Sequence, residues 1–91
     1  MTKFEWDAAK AAANVGKHRV GFPEAATVLE DPLSTTFPDE VHSADEQRFV
    51  TIGASSGGRL LVVAHTERGE SLRIISARRA TRRERAFYEQ S

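Results

Sequence analysis

Three segments of similar length and apolar character follow one another in the second half of the chain: "RFVTIGASS" from residue 48, "RLLVVAHTE" from 59 and "SLRIISARR" from 71. β-Branched residues (valine, isoleucine or threonine) recur in each, the types that suit a pleated, half-buried surface. Gly57-Gly58 and Arg68-Gly69 punctuate them, and glycine between two apolar runs is a hairpin signal. The chain is thereby constrained to an antiparallel meander. Two-residue turns at these positions pair Ile52 with Val63 and Val63 with Ile74. Val50, Ile52, Ala54, Leu61, Val63, Leu72 and Ile74 then share one face. Thr51, Thr66, Arg73 and Arg79 lie on the other, between Val62 and Ile75. A register slip of one residue would exchange these faces.

A small sheet must bury one face against something, and the N-terminal half supplies the cover. "KFEW" reads as a short strand, followed by a helix that Asp7 caps and that runs to about His18. "FPEAATVLE" reads as a second helix. Pro23 suits its first turn, and Phe22, Ala25, Ala26 and Leu29 fall on one face at helical spacing. The "DP" at 31–32 ends it. "LSTTF" is a further strand, and "PDEVHSADE" an acidic loop. After the meander, "TRRE" at 81–84 forms a capping box, which opens a last helix. The expected architecture is α+β: one small antiparallel sheet in the order β-α-α-β-β-β-β-α, a single domain over residues 1–91.

Ninety-one residues support one modest core. The absence of cysteine excludes disulfides, thiolate metal sites and a thiol nucleophile. The longest apolar run, "LLVVA" at 60–64, is far below the roughly 20 residues that span a bilayer. The N-terminus "MTKFEWDAAK" is charged and lacks an apolar signal region. A soluble cytoplasmic protein is expected. His18, His42 and His65 show no ligand spacing and no carboxylates cluster, so neither metal nor cofactor is expected.

The zero net charge conceals an asymmetry. Residues 1–47 hold four basic and nine acidic side chains and residues 48–91 hold nine and four, so the halves carry −5 and +5. Five arginines fall in the eight positions from Arg78 to Arg85. Arg82 and Arg83 occupy the first turn of the last helix, where cations oppose the macrodipole by some tenths of a kcal/mol each. Arg78 and Arg79, at the end of the preceding strand, point to opposite faces. One of them can join Arg82 or Arg83 around the free N–H groups of the helix start, an arrangement suited to phosphate. The plainer reading is a solvated face paired with Glu84, Glu89 and a partner's acids.

Nucleic acid is the polyanion that a row of guanidiniums fits. Tyr88 lies on the same helix as a possible stacking group, whereas Trp6 and Phe49 read better as core, Trp6 as a staple against the first helix. Cleavage of RNA would need a base for the 2′-OH, cations for the phosphorane and an acid for the leaving oxygen. Arginines suit the middle task. Proton-transfer candidates are His18, His65 and Glu67, with His65 better read as a packed neutral imidazole. Lys10, Asn14 and the Lys17/His18 pair line up as one polar helix stripe.

The chain resembles the BrnT family of toxins of type II toxin–antitoxin systems. Trp6-Asp7, Lys10, Asn14, Lys17-His18, Val20 and Phe22 carry the resemblance at the N-terminus. "RFVTIG" and "HTERG" carry it in the middle, and "RIISARRATRRER" with Tyr88 at the end. Arg19 stands where such families usually have glycine. The resemblance implies a RelE-like fold and an endoribonuclease that cuts RNA and inhibits translation. It also implies a BrnA-type antitoxin whose ribbon-helix-helix dimer binds operator DNA, so that DNA is reached only through the antitoxin. Lys17, His18, Arg78, Arg79 and Arg83 are then the expected catalytic positions. Arg73, Arg82, Arg85 and Tyr88 are expected to contact RNA, with Arg82 and Arg85 open to the antitoxin instead. A non-catalytic nucleic-acid-binding or repressor-complex subunit is the alternative.

Overall fold

A computed structural model describes residues 2–90. The elements are β1 (Lys3–Glu5), α1 (Ala8–His18), α2 (Phe22–Val28), β2 (Thr35–Pro38), a 3₁₀ turn (Glu40–His42), β3 (Arg48–Ala54), β4 (Leu60–Arg68), β5 (Ser71–Arg79) and α3 (Arg82–Glu89). This is the expected order. The five strands form one sheet in the spatial order β1-β5-β4-β3-β2. Its contacts are antiparallel except at one edge, where β1 joins β5 in parallel.

Local chemistry accounts for the helix boundaries. The Asp7 carboxylate accepts from the Lys10 N–H at 2.9 Å and starts α1. Arg19 stops it in the left-handed region, φ 60° and ψ 33°, donating its N–H to the Val15 carbonyl. Glycine adopts that conformation freely and a residue with a Cβ does not. At α3 the capping box is complete: the Glu84 N–H donates to Thr81 Oγ1 at 3.2 Å, and the Thr81 N–H donates to Glu84 Oε1 at 2.8 Å.

Two turns correct the expected register. The β3–β4 hairpin closes with Ser55 N–H donating to the Arg59 carbonyl, leaving a three-residue loop, Ser56 to Gly58, with Gly58 at φ 78°. Ile52 therefore faces Val62 across the ladder, and Thr51 faces Val63. The β4–β5 turn is Gly69-Glu70, and a bulge beside Ala64/His65 shifts the register once more. Val63 consequently lies opposite Ala77, not Ile74. The one-residue slip on β3 moves Val50 and Ile52 off the face assigned to them.

Two cores result, one on each side of the sheet. Leu61, Val63, Ile74 and Ala77 pack with Val20, Phe22, Ala25, Ala26 and Val28 from the α1–α2 side, and Trp6 meets Phe22 edge-on at 6.0 Å. On the opposite face Ile52, Leu60 and Val62 form a smaller cluster with Val50, Ala80 and Tyr88 beneath α3. The short α3 covers only part of that face. What it leaves open is a cleft.

Asn14 ties the helical layer to the sheet. β1 reaches only Ser71–Arg73 of β5, so the strand's outer edge is bare further along. There the Asn14 carboxamide takes the place of a neighbouring strand: Nδ2 donates to the Ala77 carbonyl at 2.9 Å, and Oδ1 accepts from the Ala77 N–H at 3.1 Å. The same Nδ2 donates to the Val20 carbonyl at 2.9 Å. Asn14 is buried, so the polar stripe expected on α1 does not include it as a solvated group.

Candidate functional site

The five clustered arginines divide into one that is internally paired and four that are not. Arg78 grips Glu84 in a bidentate fork, with Nη1–Oε1 and Nη2–Oε2 both at 2.8 Å. This carboxylate also serves the Thr81 N–H, and together the bonds hold the Glu84 carboxyl down at about 2. The anion seat expected at the start of α3 is thus filled by the chain's own glutamate. Arg79, Arg82, Arg83 and Arg85 are exposed and form no ion pair among the described residues. Arg79 and Arg85 line a groove of about 270 Å³ at the end of the sheet, together with Gly58, Arg59, Leu60 and Ala80.

Arg59 fixes that end of the molecule. Its Nε and Nη2 donate to the Glu24 carboxylate at 3.0 and 2.6 Å, and Nη2 reaches the Arg19 carbonyl at 3.1 Å. Ser55 Oγ adds a bond to Glu24 at 2.6 Å. The Arg59 and Ser55 bonds draw the Glu24 carboxyl down to about 2. The turn between β3 and β4 is thereby clamped to α2 and to the end of α1. Lys17 and His18 form the last turn of α1, Lys17 exposed and His18 half-buried.

Two other expected contacts are placed differently. Arg73 sits six residues before Arg79 on the strand, roughly 20 Å away at strand rise, where it approaches Glu5 at 3.6 Å. Tyr88 packs on the Ile52–Leu60–Val62 cluster and donates its hydroxyl to Asp31 Oδ2 at 2.6 Å. Its ring pins α3 to the sheet and is not a free stacking platform. Neither Arg73 nor Tyr88 stands with the exposed arginines. His65 is buried, stacked on Phe49 at 5.9 Å, with Nε2 bonded to Thr51 Oγ1 at 2.7 Å. Burial lowers its pKa, which keeps a packed imidazole neutral.

The open part of the sheet face holds a cleft of about 340 Å³ that the sequence did not reveal. Val50, Val62, Ala64 and Ile75 give it an apolar floor, and Asp39, His42, Arg48, Ser76 and Arg78 supply its polar groups. These residues come from three strands and a loop, and no spacing in the chain announces them. Only the bulge in β5 brings Ile75 and Ser76 to the same cleft. Arg78 is the sole sequence-expected site residue in it. Lys17 and His18 belong to α1, which packs on the opposite side of the sheet. Among the described residues no group of three His, Asp or Glu side chains could hold a metal ion, and no helix is long and apolar enough to cross a membrane.

A five-stranded sheet backed by two helices, with a short helix over the other face, is also the fold of a known small ribonuclease toxin. The crystal structure of the Brucella abortus ribonuclease toxin, BrnT, superimposes on it with a TM-score of 0.69 at 28% identity, covering 90% of this chain and 100% of that one. The family model described as ribonuclease toxin, BrnT, of type II toxin–antitoxin systems matches residues 6–84, and the chain belongs to that family. A comparison with curated protein sequences gives no match.

Proposed function

We propose that this protein is a metal-independent endoribonuclease that cuts RNA and thereby inhibits translation, and that a BrnA-type ribbon-helix-helix antitoxin neutralises it. The observation that carries this reading is the set of exposed arginines on and beside α3. Arg78 consumes Glu84, the acid nearest to them in sequence, so Arg79, Arg82, Arg83 and Arg85 keep their charge for an outside anion. A phosphodiester backbone is an anion with the right repeat and the right chemistry for guanidinium forks. Arg79 and Arg83 are the arginines assigned to stabilising the scissile phosphate, Arg78 adds its charge from beside its Glu84 partner, and Arg82 and Arg85 hold the flanking strand. Lys17 lies on the helix that Arg59 ties to this end and adds to its positive potential.

An antitoxin gains most by covering these arginines, and operator DNA is reached only through it. Proteins of this kind need no metal when cations on the chain neutralise the phosphorane and a side chain moves the proton. The test is cleavage of a single-stranded RNA by the purified chain in excess EDTA. Cleavage that persists supports the proposal. Cleavage abolished by EDTA and restored by Mg²⁺ overturns the metal-independent mechanism, and tight RNA binding without cleavage favours a non-catalytic binding subunit.

A further inference from the structure

We propose that His42, oriented by Asp39, is the proton-transfer group of the ribonuclease, acting in the cleft on the open sheet face. This rests on the ribonuclease reading and adds the residue that reading lacks. Neither α1 histidine chemistry nor buried His65 can serve this cleft: α1 lies across the sheet from it, and His65 is enclosed with its Nε2 held by Thr51.

The geometry points to His42 through three observations. First, its Nδ1 lies 3.0 Å from Asp39 Oδ2, which leaves Nε2 as the ring nitrogen available to a substrate. A carboxylate on one imidazole nitrogen fixes the ring's orientation and tautomer, the arrangement a general base requires. Second, the mount is hydrogen-bonded although the segment is a loop. The Asp39 N–H donates to the Arg48 carbonyl at 2.8 Å, and the Arg48 N–H donates to Ser43 Oγ at 3.0 Å. Ser43 Oγ in turn donates to the Asp39 carbonyl. These bonds extend the β2–β3 ladder under the 3₁₀ turn and hold both members of the pair.

Third, the cleft these residues line is furnished for a nucleotide. Arg48 and Arg78 share it, separated by the apolar floor of Val50, Val62, Ala64 and Ile75. Arg48 makes no ion pair among the described residues, and its buried Nε–H has no acceptor. The Arg48 charge is therefore uncompensated at the cleft wall and suits an anionic ligand. At about 340 Å³ the cleft is at the small end of ligand sites, large enough for one nucleotide unit.

The step balances without any co-reactant. His42 Nε2 removes the proton of a ribose 2′-OH, and the 2′ oxygen attacks the adjacent phosphorus. The P–O5′ bond breaks with its electron pair going to O5′, which takes a proton from water, while His42 returns its own to solvent. The products are a 2′,3′-cyclic phosphate and a 5′-hydroxyl. Arg48 and Arg78 in the cleft join the arginines beside α3 in opposing the charge that gathers on the phosphoryl oxygens.

The experiment compares wild type, His42→Ala and Asp39→Asn on one RNA oligonucleotide, with thermal melting of each. His42 is exposed, so His42→Ala is expected to melt with wild type. Its cleavage rate should fall about 10²- to 10⁴-fold. Added imidazole should restore part of the rate, a rescue that a purely structural role would not show. Asp39→Asn should lose roughly tenfold. Wild-type cleavage with an unimpaired His42→Ala overturns the assignment and leaves the ribonuclease reading intact. Cleavage by wild type of an oligonucleotide carrying 2′-deoxyribose at the cut site overturns it as well. A wild-type chain that cuts no RNA overturns both.

Discussion

Replacing Asn14 tests whether the helical layer is truly hooked onto the sheet edge. Three buried backbone groups depend on this one carboxamide: the Val20 carbonyl, the Ala77 carbonyl and the Ala77 N–H. A typical internal hydrogen bond contributes about 1 kcal/mol net, and a buried group left without a partner costs about 1–3 kcal/mol. Asn14→Ala opens room for a water that can serve some of these groups, so a loss of about 2 kcal/mol is expected, below what three unpartnered groups would cost together. Asn14→Leu fills the space with hydrocarbon and strands all three, and about 4 kcal/mol is expected. A domain of this size has about 5–15 kcal/mol to lose. At about 4–8 °C per kcal/mol, Asn14→Ala should melt roughly 10 °C early, with Asn14→Leu well below it. Differential scanning calorimetry on the two variants is the assay. If both melt with wild type, or if leucine is tolerated better than alanine, the side chain is solvated and the edge-capping role is wrong.

Other consequences are open to the same kind of measurement. Thr81→Ala removes the cap of α3 and should cost about 1 kcal/mol, seen as a lower midpoint in urea; an unchanged midpoint would mean that Arg78–Glu84 alone starts the helix. Arg19→Gly should raise stability by about 1 kcal/mol, because the residue already sits at φ 60° where a Cβ is strained; a loss of stability would show that the Arg19 side chain has a packing role. Glu24 and Glu84 both have carboxyls drawn to about 2 by arginine partners. A folded-state value below the unfolded one stabilises the fold above the unfolded value, and that stabilisation disappears as pH falls. The melting temperature should therefore begin to decline below about pH 6.5, where unfolding lets buried His65 take up a proton, and drop further between about pH 4.5 and 2, with the lower drop shallower in Glu24→Gln.

Much of the fold was legible because its signals are local. Asp7 and Thr81 cap the helices where their sequence neighbours indicate, and the glycines mark both hairpins. The facing of the strands was not, since it turns on loop length. Gly58 at φ 78° makes a three-residue loop where two were expected, and one residue is enough to turn Val50 and Ile52 over. The bulge that gives Ile75 to the cleft leaves no mark in composition. The sequence marks Glu84 as a capping residue, which it is, but its second partner, Arg78, closes the anion seat and is apparent only in three dimensions. Asn14 looked like one member of a polar stripe because its partners are backbone groups, which no side-chain pattern records. His42 lies in an acidic loop, and nothing in "PDEVHSADE" says that the loop stands over a cleft with two arginines.

The central claim is that the exposed arginines, Arg79, Arg82, Arg83 and Arg85, handle RNA and do not hold the fold. The double variant Arg79→Ala with Arg83→Ala addresses it, measured in parallel for thermal unfolding and RNA cleavage, with Lys3→Ala as a control for charge elsewhere. Both side chains are exposed and neither forms an ion pair among the described residues, so unfolding should shift by no more than a few degrees. Loss of groups that stabilise a charged transition state should lower the cleavage rate on the order of 10² to 10³. A double variant that folds and cuts RNA at the wild-type rate would contradict the claim.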